Sequence, residues 1–319
     1  MKAFVKDRYG SPDVLQVQEI DRPTPADDGV LVRVRATSIN AHDWHMLRGK
    51  PYLARLSEGF RAPNERQLGL DVAGIVEEVG PNVTHVKPGD QVFGSRYGAF
   101  AEFVSGKSMM PMPAGLTFEQ AAAVPTAGQT ALQGLRDHGA LQAGQHVLIL
   151  GAGGGVGTFA VQIAKALGAE VTAVTGSKSV EMVGSIGADH VIDYTRDDFA
   201  RGAQRYDLIL DVGGRRRLSA MRRVLTPTGK IVMVAPQPGQ WIGPIARIAG
   251  AFITNRLGRR PARAFLAQAS RDDLMSLKEL IEAGQVTPVI DRAYRFEQIP
   301  EAIRYVESGA VKGKVVISV

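Results

Sequence analysis

Cysteine is absent from the 319-residue chain. Without a thiolate there is no disulfide, no cysteine-built structural zinc site and no iron–sulfur cluster. Long hydrophobic runs are also missing, and no apolar stretch approaches the roughly 20 residues needed to span a bilayer. The N-terminal residues MKAFVKDRYG lack the apolar segment of a signal peptide, which sets the expectation of a cytoplasmic protein. Neither an internal repeat nor a low-complexity tract is present. What remains is 45% hydrophobic residues, enough for an ample core, in a length that suits about two domains.

The net charge of +6 is unevenly spread. Between Arg201 and Arg263 thirteen Lys and Arg stand against Asp207 and Asp211 alone, so the rest of the chain is net acidic. A solvated basic face accounts for this, as does attraction for an anionic cofactor or an anionic membrane surface. Nucleic acid is not expected as a partner, because no recognition motif accompanies the charge.

Up to about residue 120 the chain reads as strands and turns. Short alternating runs such as VLVRVRA and GIVEEVG are separated by the turn signals PTPADDG and VKPGD. From about Ala121 the pattern changes to buried apolar strands alternating with helices. In order these are HVLIL, an amphipathic helix GTFAVQIAKALGA, EVTAV, a helix around Val180 to Ile186, HVIDY, YDLILDV, a helix around Leu218 to Leu225, and KIVMVA. That alternation predicts an α/β fold with a doubly wound parallel sheet. From about Val286 short strand signals return, with the helix EQIPEAIRYVESG and a last strand KVVISV. The simplest topology is a β-rich domain, residues 1–121 and 287–319, interrupted by a nucleotide-type domain, residues 122–286.

The run GAGGGVG, Gly151 to Gly157, lies between the strand HVLIL and a helix, which is the context a dinucleotide-binding loop requires. Read as Ala152-x-Gly154-x-x-Gly157, it is the Rossmann fingerprint with alanine at the first glycine position. Gly154 would let the backbone approach a pyrophosphate, Gly157 would let helix and strand pack closely, and Gly153, Gly155 and Val156 complete the cradle at the positive helix end. NAD-binding versions carry an acidic residue about 20 residues further on. Here the second strand ends instead in Thr175-Gly176-Ser177-Lys178. Hydroxyls and a lysine with no carboxylate suit a 2′-phosphate, so NADPH is the expected cofactor.

At this point the chain resembles the medium-chain dehydrogenase/reductase superfamily, in its zinc-independent quinone oxidoreductase (zeta-crystallin-like) branch. The resemblance rests on SINAHDW, LGLDVAGIVEEVG, VKPGDQVFG, GAFAEFV, AAAVPTAGQTALQGL, GAGGGVGTFAVQIAKALGA, GADHVIDY and GKVVISV, and covers nearly the whole length. It implies a GroES-like catalytic domain beside the Rossmann domain, and a homodimer. It also implies cofactor contacts at Thr126, Thr130, Tyr194, Gly213, Ala235 and Lys314.

The cluster SINAHDWHMLRG, Ser38 to Gly49, has two histidines and reads as a polar loop. In zinc-dependent relatives metal ligands stand at or beside Asn40, Leu70 and Ala123, none of which binds zinc here. His42 and His45 are too local to enclose a tetrahedral ion by themselves, so no metal is expected. The resemblance implies that Asn40 contacts the nicotinamide or a substrate carbonyl. It sets His45 where zinc relatives place a relay histidine, and Asp43 at an acidic position that orients its neighbours. Nothing in the family pattern matches His42, and an exposed loop histidine explains it equally well.

Without a Lewis acid, oxidising a simple alcohol is difficult, whereas an enone or quinone delocalises the incoming charge onto oxygen. The expected activity is NADPH-dependent reduction of quinones or α,β-unsaturated carbonyls, the proton coming from His45 or from water. A pathway-specific enoyl or ketone reductase is an alternative. So is a low-turnover NADPH-binding protein associating with membranes through the segment 241–265, where Ile245, Ile248, Ala249, Phe252 and Ile253 follow helical spacing. A lid or a dimer element is the plainer reading of that segment, and membrane contact is not expected.

If Lys178 reads the 2′-phosphate, Lys178→Ala raises the KM for NADPH and leaves that for NADH nearly unchanged. Steady-state kinetics with both cofactors checks this, and an equal loss with both would exclude the role.

Overall fold

The computed structural model describes residues 1–50, 52, 55–213, 216–234 and 262–319. They form two compact units. One comprises Met1–Ala127, Ala269–Glu282 and Pro288–Val319, the other Gly128–Gln268 and Ala283–Thr287.

The first unit opens with β1 (Lys2–Val5) and β2 (Gln16–Glu19), paired antiparallel. It continues through β3 (Val30–Ile39), β4 (Asp71–Val79), β5 (Gln91–Ser95), β6 (Phe103–Gly106) and β7 (Met109–Pro111). Strand β3 shows why this lobe folds as it does. Val32 and Val34 are buried while Arg33 and Arg35, alternating with them, face water, the period-2 pattern of a strand with one solvated side. The buried valines of β3 and β4 meet Val86, Val92, Val104 and Met109 in one core cluster.

In the second unit β8 (His146–Leu150), β9 (Glu170–Thr175), β10 (His190–Asp193), β11 (Tyr206–Asp211), β12 (Leu225–Val234) and β13 (Ala262–Phe265) are all parallel. Their spatial order is β10-β9-β8-β11-β12-β13. Counted from β8 as strand one, that is the 3-2-1-4-5-6 arrangement of a dinucleotide-binding sheet, whose order reverses between β8 and β11. The helix after β8, Gly155–Ala166, differs from the amphipathic expectation, because every residue from Gly157 to Ala164 is buried. Gln162 explains part of this. Its side chain exchanges hydrogen bonds with the backbone of Thr287, at 3.0 Å and 2.8 Å, so the returning chain covers the helix's outer side.

The chain then returns to the first unit. The helix Arg271–Glu282, which the sequence reading passed over, buries Leu274, Leu277 and Ile281 at helical spacing. After it come β14 (Ile290–Arg295), the helix Ile299–Glu307 and β15 (Lys314–Ser318). Strand β15 pairs antiparallel with β3 and completes a sheet ordered β14-β15-β3-β4-β5-β7, with β6 also on β3. Phe296, Ile299, Ala302, Ile303, Val315 and Ile317 then share a core with Phe4, Ile39, Leu47 and Phe100 from the N-terminal part of the chain. Of the segment 241–265, residues 241–261 lie outside the described residues. Its last four, Ala262–Phe265, are strand β13 and not helix. Among the described residues no helix is long and apolar enough to cross a membrane.

Gly157 is the tightest point between the β8 end and its helix. A Cβ there would stand 2.2 Å from the Gly151 carbonyl oxygen and 2.6 Å from the Ala152 Cα, both backbone atoms that cannot swing away. Gly157→Ala is expected to destabilise by ~1–3 kcal/mol, the usual cost of overpacking. A lowered melting temperature checks it. Gly154→Ala is the comparison and should cost less, since its Cβ would meet only the Gly151 oxygen, at 3.6 Å, and only the glycine N-cap is lost.

Candidate functional site

The polar cluster expected as a loop is a helix, α1 (Ala41–Arg48). Asn40 is its N-cap, and Asp43 at the third position accepts the Asn40 backbone N–H at 2.7 Å through Oδ2. That is the reciprocal half of a capping box. Gly49 closes the helix in the left-handed conformation, φ 58°, which glycine adopts without strain. Two features hidden in the sequence made the helix: a cap residue followed three places on by a carboxylate, and Leu47 in register to enter the core. Arg48 anchors the far end, with Nε and a terminal NH2 each 2.8 Å from the Glu307 carboxylate.

The Asn40 side chain turns away from the helix, into a network centred on Asp71. Register places these groups together. Ser38 near the end of β3 pairs with Asp71 at the start of β4 and with Val316 of β15. Asp71 is fully buried. Its Oδ2 accepts from Ser38 Oγ at 2.7 Å, Asn40 Nδ2 at 2.9 Å and Lys314 Nζ at 3.3 Å. Its Oδ1 accepts from the Thr126 N–H at 2.8 Å and the Thr126 hydroxyl at 2.5 Å. Lys314 Nζ also donates to Asn40 Oδ1 at 2.6 Å. A buried charge is tolerable only when paired and hydrogen-bonded, and both charges here are.

Asp43 lies beneath this network, fully buried, and its Oδ1 also accepts the Gly69 N–H at 3.2 Å. Burial pushes its pKa up to about 7. The Asn40 and Gly69 amides and the Lys314 ammonium work in the opposite direction, and Asp71 adds to the rise. His42, expected as an exposed loop residue, is on α1 with Nε2 buried and unpartnered. Its ring meets Tyr97 edge-on at 5.7 Å, and burial lowers its pKa to about 4. His45 stacks on Trp44 with ring centroids 3.6 Å apart, and its Nδ1 lies 3.1 Å from the Lys50 carbonyl. A carbonyl only accepts, so Nδ1 carries the proton and Nε2 holds a lone pair. Burial lowers the His45 pKa too, which keeps the ring neutral near pH 7. Among the described residues no group of three or more His, Asp or Glu is arranged to hold a metal ion.

In the second unit the predicted cofactor residues gather at the C-terminal ends of β8 to β11. Gly151 has φ +87°, and a Cβ on it would lie 2.9 Å from the Gly213 N–H, so the turns after β8 and β11 touch backbone to backbone. A Cβ on Gly153 would lie 2.5 Å from Thr175 Oγ1. Gly154 caps the helix Gly155–Ala166 with no side chain over it, so no side-chain cap takes up the first-turn N–H groups at Gly155, Val156 and Gly157. This is a cradle that fits a pyrophosphate, with donors at the positive helix end and glycine where a side chain would intrude. Tyr194 is half exposed, its hydroxyl 3.1 Å from where a Gly176 Cβ would be. Lys178 is exposed on the turn after β9, whereas the Ser177 hydroxyl is engaged with Thr195 Oγ1 at 2.9 Å.

The predicted residues therefore fall into two groups. Asn40, Asp43, Thr126 and Lys314 converge within the first unit, and His45 is on the same helix α1. Gly153 to Gly157, Thr175 to Lys178, Tyr194 and Gly213 converge within the second. Thr130 is buried in the second unit, and Ala235 lies outside the described residues. Asp71, the hub of the first group, was missed. The available signal was a carboxylate opening the otherwise apolar strand DVAGIV, which a buried strand accepts only with a partner.

Residues 26–133 match the Alcohol dehydrogenase GroES-like domain and residues 186–317 the Zinc-binding dehydrogenase family. The mitochondrial NAD(P)H oxidoreductase RTN4IP1 of Bos taurus is 35% identical over 355 residues, covering 100% of this chain and 89% of its own length. The chloroplastic NADPH-dependent alkenal/one oxidoreductase of Arabidopsis thaliana is 31% identical, covering 99% of this chain and 79% of its own. Among solved structures, the quinone oxidoreductase of Coxiella burnetii superposes with a TM-score of 0.87 at 29% identity, covering 100% and 99% of the two chains. The chain belongs to the medium-chain dehydrogenase/reductase superfamily of oxidoreductases.

The raised Asp43 pKa has a consequence for stability. The folded state holds this proton up to about pH 7, whereas an unfolded aspartate loses it near 3.8. The stability linked to Asp43 is thus complete below the unfolded pKa and declines as pH rises through about 7. Asp43→Asn should flatten that slope, which is on the order of a few kcal/mol. Melting temperatures of both forms across pH 4 to 8 check it.

Proposed function

We propose that the protein is an NADPH-dependent reductase of quinones or α,β-unsaturated carbonyls that works without zinc. The observation that carries the reading is a buried, positively anchored amide, Asn40, in the position of a metal-ligand loop; the second unit carries a glycine cradle suited to a dinucleotide. In this reading the first unit, Met1–Ala127, Ala269–Glu282 and Pro288–Val319, serves the substrate, and the second, Gly128–Gln268 and Ala283–Thr287, holds the cofactor. Gly153 to Gly157 cradle the pyrophosphate, Thr175 to Lys178 receive the 2′-phosphate, and Thr126, Thr130, Tyr194, Gly213 and Ala235 belong to the cofactor's surroundings; Lys314, which the resemblance also set there, is instead bonded to Asn40 and Asp71. NADPH, when bound, supplies a hydride from nicotinamide C4.

The chain's own contribution is to place donors where charge develops on the substrate oxygen, which Asn40 does through its amide. Asp43 holds the Asn40 backbone, and so the cap, in place. His45 is a poor acid as a neutral ring already donating Nδ1–H to a carbonyl, which favours water as the proton source and leaves His45 to order that water through Nε2. Asn40, Leu70 and Ala123, at or beside the ligand positions of zinc relatives, support the metal-free reading. The relatives' names support the cofactor and the substrate classes. The same reading makes the protein a cytoplasmic homodimer without membrane contact.

NADPH oxidation with a panel of quinones and enones, run with a chelator present, tests the reading. Turnover is expected to persist in the chelator, and a zinc-dependent loss would overturn the metal-free mechanism. Asn40→Ala is expected to lower kcat for enone reduction by roughly two to three orders of magnitude, as loss of an oxyanion donor does elsewhere, with NADPH affinity little changed.

A further inference from the structure

We propose that Lys314 and Asp71 are positioning residues that fix which way round the Asn40 amide sits, and thereby make the site a hydrogen-bond donor toward a substrate carbonyl oxygen. The inference rests on the reading of Asn40 given above.

An asparagine amide has one accepting end and one donating end of nearly the same shape, and its neighbours decide which faces where. Lysine only donates and an ionised carboxylate only accepts. Lys314 Nζ lies 2.6 Å from Oδ1, and Asp71 Oδ2 lies 2.9 Å from Nδ2. Turning the amide over would set the oxygen against a carboxylate and the NH2 against an ammonium, losing both bonds and adding two repulsions. The cost is high because Asp71 is fully buried and Lys314 is 3% exposed, so water cannot replace the lost partners. The orientation is therefore forced.

Nδ2 carries two hydrogens, and Asp71 takes one. The second has no acceptor among the described residues, and Asn40 keeps some accessible surface at 8%. In the forced orientation the unused group is an N–H, which stabilises a developing oxyanion. In the reverse orientation it would be a lone pair on oxygen, which repels one. Lys314 and Asp71 thus favour substrates that put a carbonyl oxygen, and not a hydrogen-bond donor, against Asn40, and they do so without touching the substrate. Asp71 is itself held rigid by Ser38 and by both donors of Thr126, so it cannot follow a turning amide.

The test uses the full chain with Lys314→Met, Lys314→Gln, Asn40→Ala and the Asn40→Ala/Lys314→Met double variant, assayed with one enone and one quinone. Lys314→Met is expected to lower kcat by about tenfold to a hundredfold, the scale of a misplaced catalytic group, with KM for NADPH unchanged. Lys314→Gln keeps an N–H donor for Oδ1 and should recover most of that loss. If Lys314 acts through Asn40, the double variant is no slower than Asn40→Ala alone. A raised NADPH KM with kcat intact in Lys314→Met would overturn the proposal and assign Lys314 to the cofactor. Equal losses in Lys314→Met and Lys314→Gln would overturn it as well, since charge and not the hydrogen bond would then matter. Should Lys314→Met not fold, Lys314→Gln decides alone: turnover near the wild type at unchanged NADPH KM supports the proposal, and a raised KM overturns it. Failure of the underlying reading looks different. Asn40→Ala would then retain full turnover, whereas failure of this proposal alone leaves Asn40→Ala slow and Lys314→Met fast.

Discussion

The first unit is organised around one buried carboxylate. Asp71 sits at zero exposure and takes five hydrogen bonds, from Ser38, Asn40, Lys314 and the N–H and hydroxyl of Thr126. A carboxylate moved from water into such surroundings carries a penalty of several kcal/mol, offset only when every lone pair is occupied. Removing one partner from a pair of this kind costs about 3–5 kcal/mol, because the other charge stays buried. The four residues that satisfy Asp71 are spread from position 38 to position 314. The C-terminal strand is therefore a requirement of the N-terminal lobe and not an appendage to it, since β15 brings Lys314 and completes the sheet through β3.

This arrangement leaves little polar capacity over. The ion pair consumes the polar capacity of Ser38, Thr126 and most of Asn40, and a single amide N–H is left over. Asp43 and His45 are both drawn into local structure, one as a cap acceptor and the other as a donor to Lys50. Their polar groups hold the helix that presents Asn40, which is why a segment dense in ionisable residues has so little free acid or base in it. The second unit obeys a different constraint, the close approach of backbone to backbone. Gly151 against Gly213, and Gly157 against Gly151 and Ala152, leave no space for a Cβ, and the helix they admit has no side-chain cap over its first turn.

Much of the fold was legible from pattern alone. Continuous apolar strands such as HVLIL and YDLILDV occur in sheets covered on both faces, and glycines between such a strand and a helix leave few architectures to choose from. The helix α1 was not legible, since its apolar stripe is short and polar residues dominate it; its cap and the burial of Leu47 decide it. The helix Arg271–Glu282 had an adequate stripe but was obscured by the basic run before it. The full burial of the helix Gly155–Ala166 depends on Gln162 meeting Thr287, a pairing across 125 residues that no local window contains.

The sequence by itself determined the class of protein, the glycine loop between a strand and a helix, the interrupted chain order and the absence of cysteine chemistry, because each depends on local periodicity or on residue identity at fixed spacing. Only the tertiary structure decided that Asp71 is the hub, that Lys314 reaches Asn40, and that burial lowers the pKa of both histidines of the Ser38–Gly49 cluster and commits their rings largely to packing. Those outcomes depend on strand register and on desolvation. Ser38 faces Asp71 because β3 pairs with β4 in one particular register, and an offset of one residue would turn that side chain to the other face. Burial then sets the protonation of Asp43, His42 and His45, and burial belongs to the assembled sheet and helix and not to any residue alone.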